Sequence, residues 1–386
     1  MNPRDPIDLL GGLSPAVFMR DIWQKRPHLF RGAMPARGAE GAPLASLTRS
    51  GLFALAERED VESRLVVHAD AGARRRGGDT WALSHGPFPR RSLPPLSRAG
   101  WTLLVQGVDL HLDAAHALLQ QFRWVSDARL DDVMISYASP GGGVGPHIDS
   151  YDVFLLQLEG RRRWRVGQVE RPEFLAGLPV RILASFEPTE EWLLEPGDML
   201  YVPPRWGHDG IADGACMTCS IGYRTPIGTE LARELLQRLA EDLEARPEEP
   251  HYRDPPRSAT ETPGRLPAAL GAFAGRAVQR LLREPGRLEQ ALGEVMTEPK
   301  PRVWFESGAQ RDEAAGLRLD RRTRMMYDDR HVYINGESFR ASGRDAAIMR
   351  ELADGRRLPA GRCNRLSDAA RDVVADWVAQ GWVHDL

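Results

Sequence analysis

From residue 132 to residue 223 the chain is a succession of short β-rich runs, VMISYAS, YDVFLLQL, RRRWRVG, EWLLEPGDMLYVPP and CMTCSIGYR, with Gly and Pro clusters between them. Strands this short cannot hide their apolar faces alone and need paired neighbours. Many of them in series, divided by turn residues, predict a barrel or a sandwich. Helical periodicity is confined to the flanks. Residues 14–32 read as a short amphipathic helix, with Phe18, Ile22 and Trp23 at helical spacing, broken at Pro27. Residues 101–107 read as a buried strand, and 111–125 as a helix with Leu112, Ala115, Leu118, Leu119 and Phe122 on one side. An Arg/Gly-rich turn falls at 73–78.

After Pro226 the period becomes helical, and Leu231, Leu235, Leu239 and Leu243 form one stripe. A Pro/Glu/Arg-rich linker covers 245–264, and a further helical stretch runs over 266–296. Residues 299–386 form a small mixed module. It has an Asn335-Gly336 hairpin turn and a closing helix with Ala369, Val373, Trp377 and Val378 on one face. At roughly 150 residues per domain, 386 residues imply two or three domains. The net charge of -3 leaves no global basic field to announce nucleic acid, but 51 Lys and Arg along the chain allow local basic patches, so direct contact with RNA stays open. Three cysteines, odd and sparse, argue against a disulfide framework and for a reducing compartment. The first residues carry no apolar run of signal-peptide length, and no stretch approaches the ~20 apolar residues of a membrane helix. The expectation is a cytoplasmic protein with no membrane partner.

Within the β-rich block, His147 and Asp149 are two residues apart in GGGVGPHIDSYD. On an extended chain, i and i+2 project to the same side, so an imidazole and a carboxylate can converge on one ion. His208, in EPGDMLYVPPRWGHDG, is a candidate third ligand. Two histidines and one carboxylate make the facial triad of non-haem iron(II) oxygenases, which leaves positions for a bidentate co-substrate and dioxygen. A saturated structural zinc site leaves none. A lone His-x-Asp is common by chance, and the chain carries its own control: His111 and Asp113 share the spacing. They fall in a helical pattern, where i and i+2 diverge, and read as surface residues.

The run Arg161-Arg162-Arg163-Trp164-Arg165-Val166 follows the pair. Alternation groups Arg162 with Trp164 and Val166, so Arg162 is expected inside, where a cation requires an anionic partner. The distal carboxylate of 2-oxoglutarate would be one, gripped by two parallel hydrogen bonds. Arg161, Arg163 and Arg165 read as a solvated edge. The GGGVGP run lacks the ending of a phosphate loop and reads instead as a close approach of backbone to the metal mouth. Cys216 and Cys219, three apart on a strand with no second pair, read as core cysteines.

The block DDVMISYASPGGGVGPHIDSYDVFLLQLEGRRRWRVG, with EPGDMLYVPPRWGHDG downstream, resembles the JmjC-type ribosomal oxygenases of bacteria. WQKRPHLFRG, VESRLVVHAD and LSHGPF extend the likeness over nearly the whole chain. The resemblance implies an α+β protein with four parts. They are an N-terminal α/β region (1–100) packing on the barrel, a double-stranded β-helix of jelly-roll, cupin and JmjC type (101–226), a helical dimerisation region (227–298) and a C-terminal winged-helix-like domain (299–386). It implies iron(II) on His147, Asp149 and His208, and 2-oxoglutarate held by Arg162 with a further contact from Ser136. Thr218 stands where an Asn is expected, and neither it nor Asp152 nor Asp209 is given a role. The implied activity is 3-hydroxylation of an arginine in the sixteenth large-subunit ribosomal protein by a homodimer, with histidine hydroxylation of another ribosomal protein as the alternative. All of this rests on likeness. Two other readings stay open from the residues themselves. A cupin-like metal enzyme without 2-oxoglutarate has no need of an interior Arg162. A binding module without catalysis has no need of a complete triad.

Overall fold

The computed structural model describes residues 2–36, 42, 44–69, 80–241, 251–256, 259–308 and 310–386, and divides into two compact units, Met1–Thr225 and Pro226–Leu386. The turn expected at 73–78, Leu243 of the leucine stripe and part of the 245–264 linker lie outside the described residues.

In the first unit, α1 (Pro15–Asp21) begins at a Ser14 N-cap whose Oγ accepts from the Val17 amide, with Pro15 at the first helical position. Strand β1 (His28–Phe30), helix α2 (Arg49–Ala56), and strands β2 (Ser63–Ala69), β3 (Thr80–His85) and β4 (Trp101–Val105) follow. Helix α3 (Asp113–Gln120) is shorter than its sequence pattern: Leu112 is its N-cap, and the chain turns out of the helix at Gln121. The remaining strands are β5 (Leu130–Ala138), β6 (His147–Ile148), β7 (Val153–Gln168), β8 (Glu190–Leu194), β9 (Met199–Val202) and β10 (Trp206–Tyr223).

These ten strands form one sheet of order β1-β9-β7-β10-β5-β4-β2-β3, with β6 paired to β10 and β8 to β7, rolled as a jelly roll. Its start lies before residue 101, because β1, β2 and β3 are hydrogen-bonded members of the sheet rather than a layer packed against it. The two runs YDVFLLQL and RRRWRVG are one 16-residue strand, β7. Conversely, EWLLEPGDMLYVPP is two strands, because the chain turns at Gly197 (φ 96°) between β8 and β9.

The long strand β7 separates two cores. Phe154, Leu156 and Leu158 join Phe18, Phe122, Tyr201 and Tyr223 in an aromatic core beneath the helices. Val153 and Leu155 face the barrel interior, with Trp164, Val166, Leu194 and Leu200. The inward set therefore changes parity, from 153 and 155 to 164 and 166. The change falls where the β7–β10 register shifts, around residues 158–160. Gly160 makes it possible. Its φ is +65°, and a Cβ there would sit 2.2 Å from the Ala215 carbonyl oxygen.

In the second unit, α4 (Gly228–Glu241), α5 (Ala268–Leu282) and α6 (Arg287–Thr297) precede a small mixed fold. The helical pattern of 266–296 is two helices, divided at Gly286 (φ 77°) after Pro285. Two three-stranded sheets follow. One contains β11 (Leu317–Leu319), β15 (Arg357–Leu358) and β16 (Val383–Asp385), and the other β12 (Met325–Tyr327), β13 (His331–Ile334) and β14 (Glu337–Arg340). Helices α7 (Gly343–Gly355), α8 (Ala360–Cys363) and α9 (Asp368–Ala379) complete the fold. Ile334 pairs with Glu337 across Asn335 (φ 48°) and Gly336 (φ 89°), the two-residue turn the sequence calls for. Helix α9 buries Val374, Trp377 and Val378. Ala369 points to solvent, so the buried face sits one position away from the expected one at its N-terminal end.

Candidate metal centre

Strand register brings the triad together. On adjacent strands β6 and β10, His147 lies directly opposite His208, and their rings are 4.2 Å apart centre to centre. Asp149 follows β6 immediately, and its Oδ2 lies 3.9 Å from His147 Nε2 and 3.5 Å from His208 Nε2. The three candidate ligand atoms lie within 4.8 Å of one another, so His147, Asp149 and His208 could together hold one ion. Among the described residues no other set of three His, Cys, Asp or Glu side chains converges this way.

Each imidazole is already oriented. His147 Nδ1 donates to the Gly145 carbonyl (2.9 Å) and His208 Nδ1 to the Trp206 carbonyl (3.1 Å). Both rings therefore turn Nε2 toward Asp149, and in the neutral form this is the tautomer a metal needs. Burial, reinforced by the neighbouring His208, pushes His147 down to about 4, so its ring is neutral at neutral pH. Burial works against the charge on His208 too, but the Asp149 carboxylate outweighs it and raises that ring. Burial would lift Asp149, and the two histidines hold it below its ordinary value instead. The glycine run before His147 does allow a close approach: a Cβ on Gly143 would sit 2.5 Å from the Gly210 carbonyl oxygen, so this loop lies directly on β10.

The triad opens into a cavity of about 430 Å³ lined by His147, Asp149, His208, Ser136, Thr218 and Arg162 among others. Residues 179–181, from the β7–β8 connection, contribute to its wall. Arg162 is buried and projects into this cavity beside Trp164, over whose ring the guanidinium lies at 4.8 Å. Its Nη1 donates to Ser136 Oγ (3.3 Å) and Thr218 Oγ1 (3.4 Å), and its Nη2 to the Gly210 carbonyl (3.1 Å). Its Nε has no partner, and it forms no ion pair with any described residue. The other arginines of the run all have one: Arg161 with Asp213 (2.9 Å), Arg163 with Glu191 (2.7 Å) and Arg165 with Asp209. A buried cation without a countercharge is costly. The site is thus suited to a ligand that brings a carboxylate to Arg162 while its other end reaches the triad. Iron(II) and 2-oxoglutarate fit these donors in chemical type.

Several residues differ from their sequence reading. Asp152 and Asp209, given no role by sequence, are both buried. Asp152 accepts from Tyr201 Oη (2.7 Å), Gln24 Nε2 (2.9 Å) and Arg129 Nη2 (3.2 Å), and so anchors the loop after Asp149. Asp209 is held by Arg165. His111 is largely covered rather than on the surface, since it precedes α3 and faces Asp60 at 4.0 Å. Asp113 opens α3 and is exposed, so the pair does not converge. Cys216 and Cys219 are buried on opposite faces of β10, in separate clusters. Sequence reasoning passed over Gln157 and gave Thr218 no role, although both are buried beside Arg162. The polar character of a residue inside an apolar strand run was the available signal.

A jelly roll that presents two imidazoles and a carboxylate at one end of an open cavity defines a non-haem metal centre of the cupin and JmjC class. Residues 117–231 match the JmjC domain, and residues 280–384 match the ROXA-like winged helix. Over 217 residues, 55% of this chain and 53% of the relative, the sequence is 41% identical to the ribosomal protein uL16 3-hydroxylase of Escherichia coli (strain K12). It is 30% identical over 217 residues to ribosomal oxygenase 1 of Homo sapiens, covering 52% of this chain and 31% of that protein. The aligned stretch thus spans about half the length of the bacterial relative. The structure of YcfD, a ribosomal oxygenase from Escherichia coli in complex with cobalt and 2-oxoglutarate, superposes with a TM-score of 0.75 at 31% identity, over 97% of this chain and 98% of that one. A further structure of E. coli YcfD superposes with a TM-score of 0.79 at 29% identity, over 96% and 98%. The chain belongs to the JmjC-type ribosomal oxygenases.

Proposed function

We propose that this chain is an iron(II)- and 2-oxoglutarate-dependent dioxygenase that hydroxylates a protein of the large ribosomal subunit, at C3 of an arginine in uL16. The observation that carries the reading is Arg162, a buried cation with no countercharge among the described residues, in the same cavity as a complete triad. His147, Asp149 and His208 hold the metal, while Arg162 and Ser136 hold the distal carboxylate of the co-substrate. When bound, iron and 2-oxoglutarate with dioxygen supply the oxidising chemistry, releasing succinate and carbon dioxide. The chain itself orients both imidazoles through Nδ1, places the carboxylate grip at a fixed distance from the metal, and screens the reaction inside the barrel.

The helices of the 227–298 region serve assembly in this reading, pairing two copies ahead of the winged-helix-like domain of 299–386. Helix α5 supports the dimer, because it buries none of its residues while exposing Leu270, Val278 and Leu282. No helix among the described residues is long and apolar enough to cross a membrane, and we place the protein in the cytoplasm with its ribosomal substrate.

The test is incubation of the purified chain with iron(II), 2-oxoglutarate, air and the large-subunit ribosomal proteins, uL16 among them, followed by succinate assay and tandem mass spectrometry. The expected result is succinate release with one added oxygen atom on an arginine. Oxygen on a histidine of another ribosomal protein would overturn the choice of substrate, and absence of co-substrate turnover would overturn the class. Sedimentation of the full chain as a monomer would overturn the dimer.

A further inference from the structure

Three polar side chains line up beneath Arg162. Ser136 on β5, Thr218 on β10 and Gln157 on β7 are direct cross-strand neighbours, because Ser136 is opposite Thr218 and Thr218 is opposite Gln157. All three are buried. Gln157 has one possible orientation. Its Nε2 donates to the carbonyls of Glu159 (3.0 Å) and Gly160 (3.1 Å), at the irregularity where β7 changes parity. Turned the other way, its oxygen would meet two carbonyls. Its Oε1 therefore faces Thr218, whose Oγ1 donates to it at 3.0 Å. A hydroxyl has one hydrogen, so with that hydrogen committed to Gln157 the Thr218 oxygen turns only lone pairs toward Arg162 Nη1.

We infer that Gln157 is a positioning residue for the co-substrate: through Thr218 it locks the Arg162 guanidinium in place while supplying no negative charge of its own. The inference rests on the functional reading above. The neutrality matters as much as the orientation. A glutamate at 157 would have the same size, but it would turn an oxygen onto the Glu159 and Gly160 carbonyls and, when ionised, place a negative charge one hydroxyl away from Arg162. It would compete with the anion the cavity is there to receive. An amide completes the relay and leaves the cation unneutralised. Gln157 touches neither metal nor substrate, so its effect is confined to co-substrate binding.

The test measures binding of 2-oxoglutarate to the manganese-loaded full chain by calorimetry, without turnover, together with manganese affinity and melting temperature. Gln157→Glu is expected to weaken 2-oxoglutarate about tenfold, the scale of one hydrogen bond to a charged group, with manganese affinity unchanged. Gln157→Met should weaken it several-fold in the otherwise unmodified chain and have no further effect once Thr218→Val is present, because the relay is already cut. Equal weakening by Gln157→Met in both backgrounds would overturn the relay, as would wild-type affinity in Gln157→Glu. If the unmodified chain binds manganese but not 2-oxoglutarate, the functional reading falls and the inference with it. Binding in the unmodified chain with additive variants refutes the relay alone.

Discussion

Replacing Arg162 by Met is expected to move stability in opposite directions with and without co-substrate. Met keeps the length of the stem and the contact with Trp164, and removes the charge. Exchanging a buried ionic group for a packed apolar one is neutral to stabilising by about 1–4 kcal/mol. The losses are small. Ser136 Oγ keeps its bond to the Thr218 carbonyl, and Thr218 keeps Gln157, so the main loss is the bond to the Gly210 carbonyl, at about 1 kcal/mol. Without co-substrate the variant should therefore be as stable as the parent or more stable by ~1–2 kcal/mol. For a unit of this size that corresponds to a few degrees in Tm.

At a 2-oxoglutarate concentration a hundredfold above its Kd, the parent gains about 2.7 kcal/mol by mass action. Loss of a buried charge partner costs binding about 2–5 kcal/mol, so most of that gain disappears in the variant. The two melting curves should thus exchange order when 2-oxoglutarate is added to the manganese-loaded proteins in a thermal shift or calorimetric experiment. A variant destabilised by more than ~2 kcal/mol without ligand, yet shifted by ligand as far as the parent, would show that the guanidinium is a strut of the fold and not a co-substrate grip.

Other expectations follow from the same geometry. Asp149→Ala should abolish metal binding and turnover while leaving Tm within a degree or two, because the carboxylate opens onto the cavity; manganese titration followed by spin resonance checks it, and retained affinity would remove Asp149 from the ligand set. Gly160→Ala should cost ~2–3 kcal/mol, from the left-handed backbone and the contact with the Ala215 carbonyl, and should also weaken 2-oxoglutarate, because the parity change that turns Arg162 inward depends on it; denaturant unfolding and calorimetry read the two effects. Asp320, which burial would raise, is held far below the usual carboxylate range by Arg322 and His384. A depressed folded pKa stabilises above the unfolded value near 3.9 and is lost as pH falls below it. Asp320→Asn should therefore destabilise the second unit at pH 7 by an amount that stays constant down to about pH 5 and shrinks below pH 4, measured by urea unfolding across pH.

The triad and Arg162 were readable from the sequence because each depends on local spacing and on the apolar company of its neighbours. His147 and Asp149 needed only the two-residue repeat, and Arg162 needed only Trp164 and Val166. The reading of Arg162 carried a hidden condition. Had strict alternation run unbroken from Val153, residue 162 would have faced outward, and the irregularity at 158–160 restores the inward phase. Nothing in the local pattern marks that irregularity except Gly160. The burial of Asp152 and Asp209 was not readable, because their partners Gln24, Arg129, Tyr201 and Arg165 are distant in sequence. The row Ser136, Thr218, Gln157 was invisible for the same reason, since it exists only once three strands are in register. The strand pairs at the edges of the sheet likewise depend on tertiary neighbours, whereas the break at Gly286 is local, set by the Pro285-Gly286 pair inside an otherwise helical pattern.

The direct opposition of His147 and His208 on neighbouring strands gives the metal holder an unusual independence. Its spacing is set by a ladder of main-chain bonds, whereas residues 179–181, which form part of the cavity wall, belong to a connection outside that ladder. Drift in that connection can retune which polypeptide is admitted without loosening the ion. A scaffold arranged in this way can acquire new targets through its rim while its chemistry is inherited intact.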